Sequence, residues 1–227
     1  MPSMMLVAAC VVLFIVDFLL GSIPWGVVIS KIFYKKDIRD SGSGNIGTTN
    51  AMRSMGKVGG SVVFLLDFGK GLLSGFLALV ANWTIEGPLT ADAMYTYADL
   101  PILLGVAFIA CVWGHIFSPW LKFKGGKGIA VAIGALFFTF GLWGALIELA
   151  VFIVLVVATR YVSVGSLGSA VACPIIAAVE YLWLVPVPFT FWCCTLTALT
   201  VIWAHRANIK RLARGNENRI GSKKTSH

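Results

Sequence analysis

Six apolar stretches of sixteen to thirty-one residues follow one another along this chain, at 4–29, 58–81, 102–117, 129–159, 167–183 and 187–203. A helix needs about 20 apolar residues to cross a hydrocarbon core of about 30 Å. In that solvent only helices and closed barrels satisfy their own backbone groups. With 58% hydrophobic and 12% charged residues, the chain also lacks the polar groups to cover a water-facing surface. The sequence therefore predicts an all-α integral membrane protein, one membrane domain over 1–227 with a basic tail at 206–227. The first stretch has no basic segment before it, so it reads as a span rather than a secretory leader. Cys10, Cys111, Cys173, Cys193 and Cys194 all lie in apolar stretches. They read as small apolar residues, with neither a disulfide framework nor a metal site.

The positive charges fix the topology. Sixteen of the 18 Lys and Arg residues fall in three segments, 31–57, 122–127 and 206–224, whereas 82–101 carries Glu86, Asp92 and Asp99 and no basic residue. Basic loops stay on the cytoplasmic side, so an even number of crossings must separate the first basic segment from the tail. The 129–159 stretch would be about 46 Å long as one helix. Splitting it near Gly141 to Gly144 gives seven transmembrane helices, an outside N-terminus and a cytoplasmic C-terminus. Arg160 then also faces inward.

All three basic segments carry residues suited to an anion. Lys122 to Gly128 reads Lys-Phe-Lys-Gly-Gly-Lys-Gly. Its glycines let backbone N–H groups approach a ligand, and its lysines and the helix start beyond it supply positive potential. It is not a nucleoside triphosphate loop, because Leu121 and Gly128 replace the glycine and the Ser/Thr that such a loop requires. Residues 40–53 form a long loop of small donors: Ser41, Ser43, Asn45, Thr48, Thr49 and Asn50, with Arg53 at its end. Its Gly-x-Gly-x-x-Gly spelling follows a membrane helix rather than a strand, so it is no dinucleotide fingerprint. In the tail, His205 and Asn208 are three apart on one helix face, beside Arg206, Lys210, Arg211 and Glu217. Asp67 and Lys70 can neutralise one another inside the second span, and His115 reads as a hydrogen-bonded helix-end histidine. Asp17 and Glu148 have no local partner. No His-x-x-x-x-Asp pattern occurs, which argues for catalysis by positioning and charge rather than by a His–Asp base.

Gly21-Ser-Ile-Pro, Ser41-Gly-Ser-Gly-Asn-Ile-Gly-Thr-Thr-Asn, Asp67-Phe-Gly-Lys-Gly, Gly114-His-Ile-Phe-Ser-Pro, Phe123-Lys-Gly-Gly-Lys-Gly and His205-Arg-Ala-Asn-Ile-Lys-Arg-Leu stand in this order along the chain. Together they resemble the bacterial acyl-phosphate-dependent glycerol-3-phosphate acyltransferases. The resemblance implies a multi-pass enzyme of the bacterial inner membrane with its active site facing the cytoplasm, serving phospholipid synthesis. It would move a fatty acyl group from acyl phosphate to the sn-1 hydroxyl of glycerol 3-phosphate, giving lysophosphatidate and phosphate. It implies catalytic roles for Ser43, Arg53, Lys127, His205 and Asn208, and a pocket lined by Asn45, Thr49, Asn50, Gly126 and Gly128. No cofactor, metal or nucleic acid is implied; the partners are the two substrates and membrane lipids, and the chain would be a monomer or a weak homodimer. Where the family reads Val-Ala-Thr after the glycine-rich loop, this chain has Ile129-Ala-Val and so lacks one hydroxyl. An anion transporter, or an acyltransferase using acyl-CoA or acyl carrier protein, are the alternatives. Transporters place their site near the midplane, whereas these clusters share one face.

Overall fold

The computed structural model describes residues 3–86, 99–183 and 188–221. Nine α-helices and no strand occur among the described residues: α1 (Met4–Ser22), α2 (Trp25–Tyr34), α3 (Thr48–Glu86), α4 (Asp99–Ile116), α5 (Ile129–Thr139), α6 (Gly141–Thr159), α7 (Val162–Trp183), α8 (Pro188–Ala204) and α9 (Arg206–Ala213). Short 3-10 turns sit at Ile38–Asp40 and Pro119–Leu121. Five helical segments are long and apolar enough to cross a membrane, the first of them Met4–Tyr34; α5 and α8 are apolar but shorter. Most of the acidic segment 82–101 and the junction before the last span lie outside the described residues.

α4 is the axis of the bundle. It packs against α1, α3, α5 and α8, and its side chains from Leu103 to Val112 are buried without exception. Small residues set the spacing. A Cβ added at Gly21 would lie 2.0 Å from the Cys111 carbonyl oxygen, and one at Gly114 would lie 2.1 Å from that of Phe18, so α1 and α4 cross backbone to backbone. The α3–α5 crossing repeats the device, with Gly71 against Val131 and Gly134 against Phe68. Close approach of this kind replaces the hydrophobic drive that lipid cannot supply. Gly71 and Gly75 both meet α5, at Val131 and Phe138. Gly56 serves differently, kinking α3 with φ 76° and ψ −175°.

Three boundaries differ from the sequence reading, each for a local reason. The first stretch is not one helix over 4–29: α1 ends at Ser22 and α2 begins after Pro24. Proline has no N–H to continue the ladder, and where the helix stops the Gly21 and Ile23 carbonyls accept hydrogen bonds from the Lys70 ammonium, at 2.7 and 3.0 Å. The polar loop is shorter than 40–53, because α3 starts at Thr48 and Arg53 stands on its second turn. Small hydroxyl and amide residues that look like loop are also what a helix start prefers. The 129–159 stretch does divide, at Phe140, with Gly141 at φ 63°. Its first piece, α5, has only 11 residues, a length of about 16 Å, half of a hydrocarbon core. Its middle, Val131 and Ile133 to Leu136, is buried and no α5 residue is exposed, so the short helix is sheathed by protein.

Candidate active site

Between the end of α4, Phe152 of α6 and the starts of α3, α5, α7 and α9 lies a cleft with about 970 Å³ of open space. Every sequence-predicted site residue lines it except Gly126. The first loop supplies Ser43 and Asn45, α3 supplies Thr49, Asn50 and Arg53, the glycine-rich loop supplies Lys127 and Gly128, and the end of the chain supplies His205 and Asn208. First-turn residues of α3, α5, α7 and α9 all face the same space. Four helix N-termini, each worth about half a positive charge, therefore join Arg53, Lys127 and Arg211 there.

Asn50 builds the first loop. It is buried, and its Nδ2 lies 2.8 Å from the Asn45 carbonyl, 3.0 Å from that of Ser41 and 3.2 Å from that of Ile38, while Oδ1 accepts the Ser43 N–H at 2.9 Å. Its polar atoms are spent on the backbone of the loop, so it holds Ser43 and Asn45 in place. Gly42, at φ 62°, sits against that amide with no room for a Cβ. Asn45 turns the chain by accepting the Gly47 N–H at 2.9 Å, which delivers Thr48 and Thr49 to the start of α3.

The glycine-rich segment folds back on the end of α4. Gly125 N–H donates to the Ile116 carbonyl and Gly126 N–H to that of His115, both at 3.0 Å. Cβ atoms at these glycines would lie 2.0 Å from His115 atoms, the carbonyl oxygen for Gly125 and Nε2 for Gly126. Gly126 is thus a contact surface for His115. Lys122 and Lys124 are exposed and stand outside the cleft, whereas Lys127 is half-buried in it. Burial, together with the neighbouring Arg211 and Arg53 and against the pull of Glu217, lowers the Lys127 ammonium from 10.5 to about 8.

At the far end of the chain, His205 caps α9 rather than lying within one continuous helix with Asn208, yet both are buried and face the cleft. His205 Nδ1 is 2.8 Å from the Val201 carbonyl. A carbonyl only accepts, so Nδ1 carries the proton and Nε2 is left as an acceptor. Burial and then the Lys127 charge lower this imidazole from 6.5 to about 4. Asn208 Nδ2 donates to Glu217 Oε1 at 2.8 Å, and its buried Oδ1 has no partner among the described residues. Glu217, an incidental residue in the sequence, also accepts from Ser163 Oγ at 3.0 Å and from Arg211 Nε at 2.6 Å. Partial burial raises its carboxyl, but these three hydrogen bonds prevail and hold it below its ordinary value. Arg206 leaves the site and stacks on Trp203 at 4.1 Å.

Sequence reasoning passed over Ser163 and Ser166, which line the cleft from α7. Their signal was legible: Ser163, Ser166 and Ser169 recur every third residue in an apolar span, marking one polar stripe. It also passed over the apolar wall of Phe64, Ile129, Ile133 and Phe152. Ile129 and Ile133 belong as well to a second crevice of about 360 Å³, lined by Phe108, Leu136, Ala170, Cys173 and Val201 and, on α6, by Glu148. Polar head and apolar continuation therefore adjoin. Asp67 and His115 close the inner end, and the Lys70 ammonium lies 3.0 Å from the Asp67 carboxylate, forming the expected ion pair. Among the described residues no three His, Cys, Asp or Glu side chains gather to hold a metal.

Comparison with known proteins places these features in context. A family model described as glycerol-3-phosphate acyltransferase matches residues 11–215. The chain is 38% identical to the glycerol-3-phosphate acyltransferase of Anaeromyxobacter sp., covering 92% of this chain and 95% of that one. It is 36% identical to glycerol-3-phosphate acyltransferase 2 of Bacillus anthracis, covering 91% and 96%. Among solved structures it resembles PlsY, an integral membrane glycerol 3-phosphate acyltransferase, in its glycerol 3-phosphate form, with TM-score 0.76, 33% identity and 93% and 96% coverage. The lysophosphatidic acid form gives 0.74, 32%, 93% and 95%.

Proposed function

Since the chain belongs to the glycerol-3-phosphate acyltransferase family and is a multi-pass membrane enzyme of the PlsY type, we propose that it takes its acyl group from acyl phosphate. The acceptor is the sn-1 hydroxyl of glycerol 3-phosphate, and the products are lysophosphatidate and inorganic phosphate. The observation that carries this reading is the pairing of a cationic cleft with an apolar crevice through Ile129 and Ile133. Acyl phosphate has that shape: a phosphate at one end and a fatty chain at the other.

The donor's mixed anhydride already has a good leaving group, so no covalent enzyme intermediate is required. The glycerol hydroxyl oxygen attacks the acyl carbon, the bond from that carbon to the phosphate oxygen breaks, and the hydroxyl proton ends on a phosphate oxygen. Lys127, with N–H groups at the start of α5, neutralises the charge that grows on the departing phosphate. Arg53 and Ser43 face the phosphate of glycerol 3-phosphate, where a guanidinium binds bidentately. His205 Nε2 and Asn208 Oδ1 are both acceptors. They suit the glycerol hydroxyls rather than phosphate oxygens, and they orient the attacking group. Asn45, Thr49, Asn50, Gly126 and Gly128 shape the polar pocket around the two substrates.

In this reading the bundle crosses the bacterial inner membrane seven times with its N-terminus outside, and the half-length α5 makes one crossing with α6 returning from Gly141. The three basic segments then share the cytoplasmic side with the cleft. Purified protein incubated with labelled glycerol 3-phosphate and, in turn, acyl phosphate, acyl-CoA and acyl carrier protein is expected to form lysophosphatidate with the first donor. Product formed only with a thioester donor would overturn the assignment.

A further inference from the structure

Asp67, Lys70 and His115 are 2%, 3% and 4% exposed, yet Asp67 and His115 border the cleft. The Lys70 ammonium has four neighbours: the Gly21 carbonyl at 2.7 Å, the Ile23 carbonyl and Asp67 Oδ1 both at 3.0 Å, and His115 Nδ1 at 2.9 Å. An ammonium has three N–H groups, and its partners in hydrogen-bond geometry are the Gly21 and Ile23 carbonyls and His115 Nδ1, whereas Asp67 Oδ1 is an ion-pair neighbour that takes no hydrogen bond. The amine must therefore donate, and it has no lone pair to offer His115. The alternative partner for an Nδ1 proton, Asp67 Oδ1, is 3.6 Å away, beyond hydrogen-bond reach. So Nδ1 of His115 accepts from Lys70, and the ring proton stands on Nε2. That nitrogen lies against Gly126, where an added Cβ would come within 2.0 Å of it, immediately before Lys127.

We propose that His115 is a further catalytic residue, a donor whose Nε2–H bonds an oxygen of the acyl phosphate held at the Gly126 to Gly128 turn, locked in that tautomer by Lys70. The inference rests on the acyltransferase reading. It gives the glycine at 126 its reason: a side chain there would cover the donor. It also complements His205, whose Nε2 accepts. The cleft therefore holds two imidazoles of opposite polarity, each fixed by a carbonyl or an ammonium behind it.

Two substitutions separate the donor from the lock. His115→Asn keeps an acceptor for Lys70 at the Nδ1 position and removes the distal N–H; His115→Gln carries an amide N–H toward the Nε2 position. The expected result is a His115→Asn protein that melts near the parent temperature but turns over on the order of a hundredfold more slowly, with part of the loss recovered in His115→Gln. A His115→Asn variant with parental turnover would overturn the proposal. If neither variant folds, ¹⁵N spectra of the histidine-labelled parent decide. Nδ1 unprotonated, with the Nε2 resonance moving on addition of inorganic phosphate, supports it; a protonated Nδ1 or an unmoved Nε2 refutes it. A parent active only with another acyl donor refutes the donor assignment instead, and the variant comparison is then run with that donor.

Discussion

Lys127 carries its charge where burial and two guanidinium-bearing neighbours disfavour it, with a value of about 8 in place of 10.5. Below pH 8 the ammonium is present in both folded and unfolded chains; between about 8 and 10.5 only the unfolded chain keeps it. Unfolding then binds protons, so the stability contributed by this residue rises with pH across that window, while the charge assigned to catalysis in the proposed reaction disappears. Turnover is expected to fall along an alkaline limb centred near pH 8 as the melting temperature holds or climbs, which paired pH–rate and thermal-melting series would read. Lys127→Ala is expected to cost about a hundred- to a thousandfold in turnover with little change in melting. Near-normal turnover would remove Lys127 from the chemistry. Glu217 works by geometry, since its two oxygens hold Ser163, Asn208 and Arg211 together. Glu217→Gln turns an N–H toward the Arg211 guanidinium and should cost about 1–3 kcal/mol, visible as a lowered melting temperature together with a raised KM for glycerol 3-phosphate.

At the scale of the helix, the site depends on distances that glycines set. Gly134 lies against the Phe68 carbonyl, where an added Cβ would come within 2.1 Å, so Gly134→Val must push α5 from α3. A loss of about 3 kcal/mol is expected from such overpacking, with activity falling in step, and denaturation in detergent would measure it. Glu148 lies in the apolar crevice, eleven residues before the end of α6 at Thr159, a depth of about 16 Å below the turn that borders the site. A chain in the crevice meets that carboxyl. Glu148→Ala is expected to shift the preferred donor toward longer acyl chains in a competition among acyl phosphates of graded length. Helix existence was legible from apolar runs. The break at Pro24 was not, because a proline within an apolar run gives no sign that a lysine far along the chain waits to meet the carbonyls at the helix end. The early start of α3 was missed because residues that cap helices are also those that make loops.

Across the whole molecule, residues far apart in sequence from 43 to 218 meet in one cleft. The charge pattern predicts that three segments share a side of the membrane; nine of the ten chosen side chains and glycines line one space. What no periodicity encodes is which wall they close. The apolar wall and the ties made by Glu217 come from tertiary packing alone. The proposed topology is tested by single cysteines at Ser43 and Lys210 in a cysteine-free background: both are expected to react with an impermeant maleimide only in inside-out vesicles. The tail is bound in at two more points, with the Ile220 N–H on the Arg160 carbonyl at 2.8 Å and Glu217 on Ser163 at 3.0 Å. This has a bearing on biosynthesis. The membrane helices can be threaded and paired while the ribosome is still working, but the cleft lacks its last clasp until residue 217 has left the ribosome. A nascent chain in which Glu217 has not yet met Ser163 and Arg211 is therefore expected to stay inert toward acyl donors.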